Sequence, residues 1–197
     1  RDGQALPLQL EGEWSAAGTE RVLVMTEAQQ RFVFVNVATD PVPSLMRGFS
    51  APVALDDGLS DADLLVLLAH DGDAFNRWEA SQRLSLSRLL AALPGDGVAA
   101  LDDVFVGAMR RLLRDPALDP SFKELALTLP YEGYVAEHCS SVDPQRIHAV
   151  REAMVDQLAA RLHEDWVWAY EQHQVAGGYR PNAEQSGRRA LANLALA

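Results

Sequence analysis

Between Phe49 and Ser60 the residue pattern changes period. Upstream, apolar and polar residues alternate, as they do along a strand whose successive side chains point to opposite faces. Downstream, apolar residues recur every three or four positions, as on one face of a helix. Neither period can serve the other structure, so the switch divides the chain more sharply than any other feature. It predicts an α+β multidomain fragment. A short part of an antiparallel β-sandwich is expected over 1–56, followed by an all-α, superhelical and solenoid-like domain over 57–197.

The strand candidates are Leu6-Pro7-Leu8-Gln9-Leu10, Arg21 to Thr26 and Arg31 to Val37, with a turn at Ser15 to Thr19 around Gly18. Pro41-Val42-Pro43 then keeps the backbone extended and blocks helix. Three to five strands are too few to close a sandwich, so this part reads as half of something larger. Arg31 to Val37 is the most apolar of them. Left at an edge, its unpaired N–H and C=O groups would invite self-association.

From Ser60 the signals are helical. Ser60 followed by Asp63 resembles a capping box with a shorter acid, opening the apolar run Leu64 to Leu68. A second helix is expected from Asp73 to Leu93, where Pro94-Gly95-Asp96-Gly97 stops it. Within it Phe75, Trp78 and Gln82 share a face, which makes Trp78 an expected core anchor. A third spans about Leu101 to Arg114, its last turns carrying Arg110, Arg111 and Arg114 where the helix dipole favours cations. Asp119-Pro120 and Asp143-Pro144 each place a capping acid before a proline at the first helical position. The second opens the longest expected helix, about Pro144 to Val175, and a last one covers about Asn182 to Leu196. Such hairpins would stack as in an α-solenoid, although no sequence period repeats.

The charge balance narrows the partners. A net charge of -11 with a single lysine, Lys123, argues against nucleic acid, whose phosphates need clustered cations. No apolar run approaches the ~20 residues of a membrane span. One cysteine, Cys139, cannot form an intramolecular disulfide and fits a reducing, cytoplasmic setting. The opening Arg1-Asp2-Gly3, without Met or a signal peptide, is expected of a piece trimmed from a longer protein.

No constellation for chemistry emerges. His163-Glu164 invites comparison with the zinc motif His-Glu-x-x-His, but the second histidine would fall at Val167. His173 is ten residues from His163, ~15 Å along a helix axis. His138 and Cys139 are neighbours and point in different directions on a helix, so adjacency makes no dyad. His70 and His148 have no acidic or thiol partner at a useful spacing. Asp56-Asp57, Asp61 with Asp63, and Asp102-Asp103 lie at turns or helix starts, where acids serve as caps. Trp166, Trp168 and Tyr170 alternate around their helix, one expected to pack inward and another to face a partner domain. Catalytic, cofactor-binding and metal residues are therefore expected to be none.

Three clusters carry a resemblance. They are Phe49-Ser50-Ala51-Pro52-Val53 with Phe75-Asn76-Arg77-Trp78-Glu79-Ala80; Leu127-Thr128-Leu129-Pro130 with Ala136-Glu137; and Asp143-Pro144 with Arg151-Glu152-Ala153. In this order and spacing the chain resembles the non-catalytic C-terminal half of bacterial aminopeptidase N, a zinc metallopeptidase family. Gln30-Arg31-Phe32-Val33-Phe34 and Pro41-Val42-Pro43 look like the family's small β-sandwich. The family's substrate loop, Gly-Ala-Met-Glu-Asn, and its zinc motif are absent, so no site residue carries over. The resemblance implies no cofactor in this segment and zinc in the full-length enzyme. It implies the catalytic domain of the same polypeptide and peptide substrates as partners, with structural support and access control as the role. The alternative is a free-standing helical-repeat scaffold that binds a partner protein.

Overall fold

The computed structural model describes residues 3–95, 97 and 100–197. From Ser60 onward the chain is helical. Helix α1 (Asp61–His70) opens on a reciprocal capping box, in which Ser60 Oγ accepts the Asp63 N–H at 3.3 Å and Asp63 Oδ2 accepts the Ser60 N–H at 3.1 Å. Helix α2 (Ala74–Ala92) is capped by Asp73 through the Asn76 N–H at 3.0 Å, and α3 (Asp103–Arg114) by Asp102 through the Phe105 N–H at 2.8 Å. Asp119 opens α4 (Pro120–Leu127) and Asp143 opens α6 (Pro144–Arg161), each with proline in the first turn. The short α5 is Glu132–Glu137, α7 is His163–Gln172, and α8 (Ala183–Leu196) is capped by Asn182. Each capping oxygen satisfies an N–H that the first turn leaves without an intrahelical partner.

The core is one contiguous cluster in this helical part. Leu84 and Leu89 of α2, Phe105, Met109 and Leu113 of α3, Leu162 and Leu191 are almost completely removed from water. Helix α1 packs on α2, and α8 packs on both α4 and α7. Polar side chains fasten elements where the backbone would otherwise lack partners. Ser81 Oγ donates to the Ala126 carbonyl at 2.5 Å and Gln82 Nε2 to the Thr128 carbonyl at 2.9 Å. Arg146 of α6 donates to the Ala92 and Leu93 carbonyls at 2.6 and 3.2 Å, closing the C-terminal end of α2. Trp78 packs half-buried against the cluster and beside Phe75, whereas Gln82 is buried.

Two expectations are corrected. First, the described residues of 1–56 do not form the antiparallel β-sandwich expected there. Among the described residues no strand forms, and the fold is all-helical without a sheet. Pairing stops at one antiparallel bridge, Leu10 with Phe34, flanked by Glu11 N–H to Val33 carbonyl and Val35 N–H to Gln9 carbonyl, both 2.9 Å. The physical reason is burial. Strands need an apolar face covered by a second layer or a helix, yet Trp14, Val22, Val24 and Met25 are 64% exposed or more.

Second, the single helix expected from Pro144 to Val175 is two. Leu162, with φ -115° and ψ 19°, separates α6 from α7, and α7 ends at Gln172. Hydrogen bonding runs through the bend, with Leu162 N–H on the Leu158 carbonyl at 3.0 Å and Trp166 N–H on the Leu162 carbonyl at 2.9 Å. No proline or glycine marks the position. The bend turns α7 so that Asp165 meets Arg110 and Arg114 of α3 and Ala169 is buried.

Candidate functional site

The segment before α1 lies across α2, and the two sequence clusters on either side of the period change meet there. The Phe49 ring stands 4.0 Å from that of Phe75, which is 5.6 Å from Trp78. Buried Asn76 donates from Nδ2 to Ser44 Oγ and to the Leu45 carbonyl, both at 2.9 Å. Arg47 pairs with Asp71 at 2.5 Å, and the Gly48 N–H donates to Asp73 Oδ2 at 2.9 Å. Met46 and Phe49 have φ of 56° and 57°. That left-handed conformation is unfavourable for bulky side chains and is held here by these surrounding contacts. Farther along, Asp57 accepts two hydrogen bonds from Arg83 at 2.7 and 2.8 Å and one from the Leu59 N–H at 3.0 Å.

Between these fastenings lies a pocket of about 370 Å³. Its apolar wall includes Met46, Phe49, Val53, Leu64, Leu67 and Phe75, and its polar side brings together Asp57, Glu79, Arg83, Tyr134 and His138. Burial pushes the Glu79 carboxyl above the usual carboxylate range and, with Asp57 nearby, outweighs the pull of Arg83. The Tyr134 phenol is likewise raised, first by burial and then by Glu79 and Glu137. Asp57 is held low, chiefly by its hydrogen bond from Arg83. An apolar cleft with a few convergent polar groups is suited to binding. Glu79 enters the sequence analysis only as part of the first cluster, not as a site residue. Its spacing of four residues from Arg83 was the available signal, whereas Asp57 joins them only through the fold.

The residues weighed as chemical candidates are dispersed. His163 and His173 stand at opposite ends of α7, and Val167 is exposed. His138 Nδ1–H donates to the Tyr134 carbonyl at 2.8 Å, while the Cys139 thiol donates to the Val135 carbonyl at 3.3 Å. The two side chains thus serve separate carbonyls. His148 meets Glu132 at 2.7 Å, a partner sixteen residues away that sequence spacing did not reveal, and that hydrogen bond raises its pKa. His70 is exposed. Asp57, Asp61, Asp63, Asp102 and Asp103 are committed to caps and arginines, and Asp56 is exposed. Arg88 ties Asp61 to Asp102 at 2.9 and 2.7 Å, and Arg161 pairs with Asp103. Trp166 donates to the Leu158 carbonyl at 3.2 Å, and the Arg114 guanidinium lies 4.2 Å from the Trp168 ring; Tyr170 is exposed. Among the described residues no three His, Cys, Asp or Glu side chains gather where they could hold a metal ion. No helix among them is long and apolar enough to cross a membrane.

The other two clusters join the same framework. Gln82 of α2 reaches the Thr128 carbonyl, Arg151 of α6 reaches the Pro130 carbonyl at 3.1 Å, and Asp143 caps α6. Comparison with known proteins agrees with this layout over the helical part, whereas over the first residues the matching family is described by a fold that the described residues do not form. Residues 61–197 match the family model "Domain of unknown function (DUF3458_C) ARM repeats", and residues 1–58 match "Domain of unknown function (DUF3458) Ig-like fold". The chain is 34% identical over 172 residues to aminopeptidase N of Caulobacter vibrioides, covering 87% of this chain and 20% of that protein. It is 36% identical over 198 residues to aminopeptidase N of Escherichia coli, covering 99% of this chain and 22% of that protein. The crystal structure of Legionella pneumophila aminopeptidase A in complex with aspartic acid superposes with a TM-score of 0.75 at 25% identity, covering 96% of this chain and 23% of that one. The chain spans about a fifth of the length of the curated relatives it matches.

Proposed function

From the premise that the chain belongs to the aminopeptidase N family, we propose that it is the non-catalytic helical portion of a zinc-dependent aminopeptidase that removes N-terminal residues from peptides. In such an enzyme it supports the catalytic domain of the same polypeptide and limits which peptides reach it. One observation carries the reading. The three clusters through which the sequence resembles that family meet on one framework. Phe49 packs on Phe75. Gln82, two residues past the first cluster on α2, donates to Thr128 of the second, and Arg151 of the third donates to Pro130 of the second. They form one connected scaffold around α2 and contain no nucleophile with its base.

Zinc in such an enzyme supplies a Lewis acid for the scissile carbonyl and the attacking water. The described residues of this chain do not fit a zinc site, because no three donors converge and His163 and His173 lie a helix length apart. Their work is mechanical. Asp57 and Arg83 clamp the segment before α1 onto α2, and Arg146 and Arg151 bind α6 to the ends of its neighbours. A reducing, cytoplasmic setting belongs to the same reading and is consistent with the single free thiol.

The test is metal analysis of the purified 197-residue chain after dialysis, with a chromogenic aminoacyl assay beside it. Neither one-to-one zinc nor turnover above a blank is expected. Either would overturn the non-catalytic role. Access control is read in the complete polypeptide as the ratio of kcat/KM for long peptides to that for a single aminoacyl amide. Surface charge reversals in this chain should move that ratio, and an unchanged ratio removes the role.

A further inference from the structure

The pocket between α2 and the segment before α1 holds a charge that its own lining leaves uncompensated. Phe75, Glu79 and Arg83 follow one another at four-residue spacing, so α2 sets them on one stripe. Arg83 gives both terminal nitrogens to Asp57, at 2.8 and 2.7 Å, and Asp57 also accepts the Leu59 N–H at 3.0 Å. That pair is closed and neutral. Glu79 is left over. Among the described residues its carboxylate accepts no hydrogen bond and forms no ion pair. Burial disfavours its charge more strongly than Arg83 supports it.

Two further acceptors line the same space from α5. Tyr134 and His138 are again four residues apart, with ring centroids 4.7 Å from each other. The Tyr134 hydroxyl has no hydrogen-bond partner among the described residues, and the charge of Glu79 reaches it. His138 donates Nδ1–H to the Tyr134 carbonyl at 2.8 Å, which leaves Nε2 of the neutral ring as an acceptor. The remaining lining is apolar, with the Phe49 and Phe75 rings 4.0 Å apart.

We propose that this pocket binds a small primary ammonium ion carrying an aromatic or branched aliphatic group. An ammonium offers three N–H donors, and the pocket offers the Glu79 carboxylate, the Tyr134 hydroxyl and His138 Nε2 to receive them. The apolar group lies against Phe49 and Phe75, whose ring faces also attract the cation. A volume of about 370 Å³ is near the lower end of the ~300–1,000 Å³ of ligand pockets, which suits one ring and a short arm rather than a peptide. An anionic ligand is disfavoured, because Arg83 is already closed by Asp57 while Glu79 repels it. A metal ion is disfavoured, because no three His, Cys, Asp or Glu side chains gather among the described residues. Bound there, the ligand bridges α2, α5 and the segment before α1.

The probe is phenethylamine, titrated into the nitrogen-15-labelled 197-residue chain and followed by amide chemical shifts. Phenethyl alcohol is the neutral comparison and phenylpropionate the anionic one. The amine should bind at least tenfold more tightly than either, with saturable shifts on α2 around Glu79 and on α5. Glu79→Gln should lower amine affinity at least tenfold and leave alcohol binding within twofold. It should not lower the Tm, since it removes a charge that burial disfavours; a fall of several degrees would make Glu79 a structural residue and overturn the proposal. Glu171→Gln, an equal charge change at an exposed site on α7, should stay within twofold of the unsubstituted chain. Phe49→Ala, at a residue 66% exposed, should weaken amine and alcohol alike. Equal binding of the three probes, no saturable shifts on α2 and α5, or equal losses from the Glu79 and Glu171 changes would each overturn the proposal. So would tighter binding of a blocked lysine than of phenethylamine, which would make a side chain of another polypeptide the occupant.

Discussion

Replacing Asp165 with asparagine removes one charge from a junction between two helices while keeping side-chain volume. The Asp165 side chain is 12% exposed; its Oδ2 accepts Arg110 Nε–H at 2.8 Å and its Oδ1 accepts Arg114 Nε–H at 2.7 Å. Hydrogen bonds to charged groups contribute about 1.5–3 kcal/mol each. Arg110 and Arg114 are 50% and 37% exposed, so both rehydrate when released and the pair contributes toward the lower end. Asp165 also lies in the first turn of α7, where an acid adds about 0.3–1 kcal/mol through the helix dipole. The sum is a loss of roughly 2–4 kcal/mol, or a fall in Tm on the order of 10 °C for a chain of this size. The sign of the pH dependence follows from the pKa. Burial pushes the carboxyl up, but Arg110 and Arg114 pull harder and hold it below the usual range. A lowered folded value means the contribution is complete above the unfolded pKa of about 3.9 and is lost as pH falls through the folded value. Urea unfolding of both proteins should therefore show a constant gap from pH 8 to 5 that closes below pH 4. A gap under ~0.5 kcal/mol at pH 7, the range of ordinary surface substitutions, would refute the reasoning. So would a gap that persists unchanged at pH 3.

Two further substitutions probe other junctions. Asp57→Asn should cost about 1–3 kcal/mol by leaving Arg83 with a weaker partner, and should speed proteolytic cleavage between residues 43 and 59; unchanged cleavage would show that the clamp does not hold the segment. Gly187→Ala in α8 would put a Cβ 2.4 Å from Ser121 Oγ and 2.9 Å from the Ser121 backbone nitrogen. The hydroxyl can rotate and the backbone cannot. Overpacking of about 1–3 kcal/mol should therefore exceed the ~1 kcal/mol gain in helix propensity, and a higher Tm would mean that α8 shifts freely on α4.

Much of the helical part was legible because its signals are local. Ser60 and Asp63, or Asp102 and Phe105, interact within three residues of each other, so a capping acid before an apolar run places a helix start whatever surrounds it. Alternation over residues 6–37 was equally visible, yet it says only that one face of a strand would be apolar. Whether anything covers that face is a tertiary fact, and with Val22 and Val24 in water no sheet forms. The bend at Leu162 had no local mark, because it answers to Arg110 and Arg114 some fifty residues earlier. The pocket was hidden for the same reason. Asp57 and Arg83 are 26 residues apart, and Phe49 and Phe75 likewise, so neither pair has a spacing to read. Sequence decides what is settled by hydrogen bonds inside a single turn. Burial decides the rest, because apolar area leaves water only where distant segments meet.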